Sequence, residues 1–201
     1  MKTSRIIFII AAIVVVLGSL ACGGSGCSQS KDKIDTLWNE TVQNVFFDTP
    51  FGASRDEVIK NFAKHGFTLN RSVSNDTWLA FDYNKSDYYS FGGMTWEELN
   101  VFLTNGKFSS IEFYNPKKDK AEALDAYNGI VKELSGKYKL TTVEPEQGDT
   151  TVYGKKNAYS KSGCRAWVKC YRYESIGNEI FYTATLGYIN DSIANEVSDE
   201  L

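Results

Sequence analysis

The chain holds little of what metal-binding and catalytic chemistry commonly use. It has a single histidine, His65, in 201 residues, so a histidine-based metal centre has no second histidine. Its four cysteines include no Cys-x-x-Cys, which leaves zinc without ligands, and no cofactor motif is present. Three prolines exclude a proline-rich linker. Charge of one sign is also scarce, with 22 Lys and Arg against 25 Asp and Glu. A net charge of −3 gives no electrostatic reason to seek phosphate backbones, so nucleic acid is not an expected partner. No glycine-rich loop joins a strand to a helix, since Gly23-Gly24-Ser25-Gly26 precedes no such unit.

Aromatic residues, by contrast, are abundant. They make up 14% of the chain, with 12 Tyr and 12 Phe, which favours strands over a helical bundle. Hydrophobic residues at 42% and charged residues at 23% describe an ordinary globular protein, and the length suits one compact domain with an appendage.

The appendage is N-terminal. Lys2 and Arg5 precede an uninterrupted apolar run from Ile6 to Leu17, and small residues lead to Cys22. That is the pattern of a secretory signal. As a helix, Ile6 to Ala21 spans roughly 24 Å, short of the roughly 30 Å hydrocarbon core, so a permanent span is disfavoured. Ser19-Leu20-Ala21-Cys22 resembles a bacterial lipobox, which implies acylation of Cys22, with chains such as palmitate, as the mature N-terminus. The leucine stands two positions before the cysteine where the usual pattern has it three before, and Ser19 and Ala21 also fit ordinary signal cleavage, which leads to a secreted protein. The Gly/Ser run after Cys22 has the composition of a flexible tether. A competing address is the C-terminal Ser198-Asp199-Glu200-Leu201, one residue from a Lys-Asp-Glu-Leu retention tail. Five Asn-x-Ser/Thr triplets, at Asn39, Asn70, Asn75, Asn84 and Asn190, go with that alternative. The expected organisation is a signal peptide over 1–21, a lipid-anchored tether over 22–44, one domain over 45–190 and a polar tail over 191–201. The expected place is the cell envelope, with the membrane reached through the N-terminal lipid.

Within the body, Ile34 to Phe47 has a partly helical period. A convincing helix follows Gly52: Ser54 and Glu57 form a capping box, Val58, Ile59 and Phe62 share a face, and His65-Gly66 closes it. Strand signals come at 67–69, 77–83 and 88–91, with Gly92-Gly93 as a bulge or bend. Leu99–Thr104 and Lys107–Tyr114 flank Asn105-Gly106, a strong hairpin signal. A second helix is expected with Asn115 as its cap, Pro116 at its first position and Gly136 at its end. Further strands are expected at 138–143, 150–159, 164–173 and 179–189. The fold class is α+β, with helices packed on one face of an antiparallel sheet in two helix-plus-meander halves.

The segment Val45-Phe46-Phe47-Asp48-Thr49-Pro50-Phe51-Gly52-Ala53-Ser54, followed by Val58, resembles the repeat opening of the β-lactamase inhibitor protein-like superfamily. SmpA/OmlA-type outer-membrane assembly lipoproteins look similar over the same opening, and Val101 to Lys107 resembles the closing hairpin. The resemblance covers roughly residues 45–115 and implies a binding or inhibitory module without a catalytic centre. The second half lacks the Gly-x-Ser/Thr opening.

No catalytic or metal-ligating set is assigned. His65 sits where a helix dipole favours it. Cys164 and Cys170, six residues apart on one strand, are separated by roughly 20 Å and cannot form a disulfide, so they read as buried thiols. Glu97, Glu98 and Glu112 read as exposed sheet acids. The suggestive feature is the strand at 164–173. Cys164, Ala166, Val168 and Cys170 alternate with Arg165, Trp167, Lys169, Tyr171 and Tyr173. The second set is the candidate binding surface, because Trp, Tyr and Arg are enriched in contact hot spots. The expected partner is an envelope protein or, as the alternative, a glycan stacked on Trp167. An enzyme with an unrecognised acidic site is a third reading.

Overall fold

A computed structural model describes residues 37–175 and 178–196. The signal segment, Cys22, Cys27, most of the tether and the last five residues lie outside the described residues. Over the described residues the protein is α+β, with a nine-stranded, mostly antiparallel mixed sheet and three helices.

In chain order, β1 is Trp38–Asn39, β2 Val45–Phe46 and β3 Thr49–Pro50. Helix α1 spans Arg55–Lys64. Strands β4 (Phe67–Leu69), β5 (Trp78–Tyr83), β6 (Tyr89–Phe91), β7 (Met94–Trp96), β8 (Glu98–Thr104) and β9 (Lys107–Lys117) follow. Helix α2 is Lys120–Ser135. After it come β10 (Thr141–Thr142), β11 (Val152–Ser160), β12 (Cys164–Glu174), β13 (Ile180–Asn190) and the short α3 (Asp191–Ala194). The sheet order is β1-β11-β12-β13-β9-β8-β5-β4, with β10 on β11. Antiparallel pairing of β13 with β9, from Tyr182↔Lys117 to Ile189↔Ser110, joins strands from before and after α2 in one sheet.

One cross-strand row defines the covered face: Ala158, Ala166, Tyr188, Ile111, Val101 and Leu79 are successive neighbours, all buried. Val58 and Phe62 of α1, and Ala123, Tyr127, Ile130 and Leu134 of α2, join the same core. The β2–β3 and β6–β7 hairpins complete it. Phe46 packs on Tyr188 at 4.9 Å, and Phe91 stacks on Phe113 at 4.2 Å. Gly154 leaves the room that the Tyr127 ring needs, since a Cβ there would stand 2.8 Å from it.

The Ser54–Glu57 capping box forms as expected, and Gly66 (φ 90°) follows the α1 cap His65. Asn105 and Gly106 (φ 50° and 71°) make the primed turn between β8 and β9. Several expectations are corrected. Asn115 and Pro116 do not open α2. They extend β9 opposite Ala184 and Thr183, and Asp119 caps the helix through the Ala121 and Glu122 amides. The stretch around Val45 is a hairpin instead of a helical turn, with Phe47 and Asp48 at φ 49° and 59°. Gly92-Gly93 is the two-residue turn of the β6–β7 hairpin, and the 138–143 strand shrinks to β10. Trp38–Asn39 and Val42, inside the stretch read as tether, belong to the fold: β1 adds a parallel strand to β11, and Val42 is buried. Asp191–Ala194, read as tail, form α3, and Arg165 pairs with Asp191 beside it.

Candidate functional site

The alternation along β12 holds. Cys164, Ala166, Val168 and Cys170 are buried in the core under α2, whereas Arg165, Trp167, Lys169, Tyr171 and Tyr173 are half-buried on the opposite face. Two rows of neighbours map that face. Asn157, Trp167, Gly187, Glu112, Asn100 and Ala80 form one. Lys155, Lys169, Thr185, Tyr114 and Glu98 form the next. Cations therefore gather on β11 and β12, and carboxylates on β8 and β9.

Each candidate side chain is held by a neighbour. Arg165 donates from Nη2 and Nε to the Asp191 carboxylate at 2.8 and 3.3 Å, a two-point clamp. Trp167 lies across Gly187, where a Cβ would stand 2.2 Å from its indole. The Lys169 ammonium sits 4.6 Å from the Tyr171 ring centre, and Tyr171 touches Tyr173, which stacks on Phe181 at 5.7 Å. A surface fixed before binding loses less freedom on association than a mobile one.

The acids differ from expectation. Glu98 and Glu112 are not freely solvated: burial carries each carboxyl up to about 7, with Glu97 adding to the effect at Glu98. At Glu112 the rise is held back by the Tyr114 hydroxyl, which donates to Oε2, and by the Lys169 charge. The tyrosines that crowd them respond in kind. Tyr114, Tyr171 and Tyr173 are all pushed upward, first by burial and then by these carboxylates. The sequence carried the residues but not their crowding, because Tyr171 and Tyr173 come from β12, more than fifty residues away in the chain.

Glu98 also borders a cleft of about 480 Å³ between β5, β8 and the loops that flank β5. Trp78, Ala80, Asp82, Asp87, Asn100 and Pro116 share its lining. Trp78 thus belongs to the helix-opposite face, while Trp96 is buried and donates its Nε1 proton to the Phe91 carbonyl at 3.0 Å.

The remaining candidates lie away from this face. His65 Nε2 lies 2.8 Å from Asp48 Oδ2, and its ring packs on Phe47. Cys164 and Cys170 are free and buried, and burial pushes the Cys170 thiol up to about 11, away from a reactive thiolate. Among the described residues no group of three His, Cys, Asp or Glu could hold a metal ion, and no helix is long and apolar enough to cross a membrane. No protein-family model, no curated protein and no solved structure matches this chain.

Proposed function

We propose that this chain is a bacterial envelope lipoprotein whose domain binds a protein partner without catalysis, using the sheet face that carries Arg165, Trp167, Lys169, Tyr171 and Tyr173. The observation that carries the reading is the arrangement of that face. It lies opposite α1 and α2, and its aromatic and cationic side chains are already held by Asp191, Gly187, Tyr171 and Phe181. Flat, rigid aromatic surface with charges at its margin is what hot-spot recognition uses.

Supporting observations come from the chain's start and its first half. The Cys22 pattern and Gly/Ser run suit a lipid-tethered module, because two or three acyl chains anchor it almost irreversibly. The resemblance of residues 45–115 to the inhibitor-like superfamily points to the same class of function. The Gly52-x-Ser54 opening, α1 and the β8–β9 hairpin come in that order, and α2 with β11–β13, which follows, is read as a second half of the same kind.

Two measurements test the proposal. Intact mass of the mature protein from native membranes is expected to show a chain beginning at Cys22 with added diacylglycerol. An unmodified chain found outside the membrane would replace the tethered module with a secreted one. Trp167→Ala and Lys169→Glu are expected to abolish partner capture while the thermal midpoint holds. Capture that survives both would remove this face from the account.

A further inference from the structure

The cleft beside β5 stands apart from the Trp167 platform and poses its own chemical question. Its volume of about 480 Å³ lies within the range of small-molecule sites, roughly 300–1,000 Å³. Trp78, Ala80, Val73 and Pro116 give it apolar surface, and Asp82, Glu98 and Asn100 give it polar groups. Trp78 on the one hand and the Asp82 and Glu98 carboxylates on the other lack partners in opposite senses. The Trp78 indole N–H is buried without an acceptor. Among the described residues the Asp82 and Glu98 carboxylates have no ion-pair partner, in contrast to Glu97, which Lys117 meets at 3.2 Å. Asn100 is 6% exposed and brings an amide, both donor and acceptor.

The ligand class follows from what would satisfy such a wall. An ammonium group supplies donors alone and leaves the indole N–H unmet. An anion supplies acceptors alone and is repelled by the carboxylates. A hydroxyl does both, and an array of hydroxyls on an apolar C–H framework also suits the aromatic surface. We infer that the cleft beside Trp78 is a saccharide site, taking a short neutral or amino-bearing oligosaccharide and rejecting uronic acids. Burial that brings Glu98 up to about 7 adds to the fit, since near neutrality its carboxyl can either donate to a hydroxyl or accept from one.

Titration calorimetry of the protein with chitotriose, cellotriose, maltotriose and spermidine at pH 7 tests the inference. At least one trisaccharide is expected to saturate. Asp82→Asn keeps the side-chain shape, and Trp78→Phe keeps an aromatic ring but removes the N–H. Each is expected to weaken that binding about tenfold with an unchanged melting midpoint, as loss of one satisfied polar contact implies. Trp167→Ala is expected to leave it unchanged. The inference is overturned if no trisaccharide saturates, if both variants bind as the parent does, or if spermidine alone saturates and reveals a cation site. Partner capture at Trp167 and Lys169 is read separately, so the failure of one proposal is visible without the other.

Discussion

Gly187 is the residue on which the position of the Trp167 ring most depends. The Trp167 indole lies where a Cβ would be, so Gly187→Ala forces the ring off the sheet. A cost of about 1–3 kcal/mol is expected from such overpacking, with a shift in tryptophan emission, and chemical denaturation followed by fluorescence checks both. The carboxylates give a second residue-scale expectation. A carboxyl raised in the folded state to about 7 holds its proton in the native protein over a range where the unfolded chain has lost it. Stability contributed by Glu98 and Glu112 therefore falls as pH rises from about 4.5 to about 7, and the penalty is complete above that. Glu112→Gln keeps an acceptor for the Tyr114 hydroxyl and is expected to raise stability at pH 8 by about 1–3 kcal/mol, with no gain at pH 4.5. Melting profiles across pH 4–9 would show it. At this scale the period-two alternation made Cys164 to Tyr173 legible, face by face. The ionisation of Glu98 and Glu112 was not, because Tyr171 and Tyr173 reach them only after β12, β13, β9 and β8 have aligned.

Elements were legible where local chemistry alone specifies them. The capping box at Ser54 and the Asn105-Gly106 turn need only neighbours in sequence, and both form. Ser54→Ala is expected to cost about 1 kcal/mol, read as a lower denaturant midpoint with an unchanged slope. Asn115-Pro116 carries an equally good local signal for a helix start, yet the β9–β13 ladder prevails and both residues remain extended. Proline is tolerated there because it lies near the end of β9, and Asp119 then supplies the cap three residues on. The Phe47–Asp48 turn was illegible for the converse reason. Neither residue is glycine, and both sit at positive φ. Rings of Phe62, Phe67 and Phe91 around Phe47, and His65 against Asp48, hold a conformation that the local sequence disfavours.

For the whole molecule, the β9–β13 ladder is what joins the strands before α2 to those after it. Eight paired residues run from Lys117 to Ser110 on one side and from Tyr182 to Ile189 on the other. Because the core passes continuously from α1 to α2 across that seam, the halves are expected to unfold together. Single-tryptophan variants that retain Trp78 or Trp167 would report one half each, and their urea transitions should coincide.

The same sheet divides the molecule into a face filled by helices and hairpins and a face that presents aromatics, cations and buried acids. Recognition of the partner is proposed to run through the second face. Its most direct measurement is photocrosslinking in intact cells, with the crosslinking residue placed at Lys169 on that face or at Lys132 of α2. One discrete adduct is expected from position 169, lost on Trp167→Ala, and none from position 132. An adduct from position 132 alone, or the same adduct from both, would contradict that proposal.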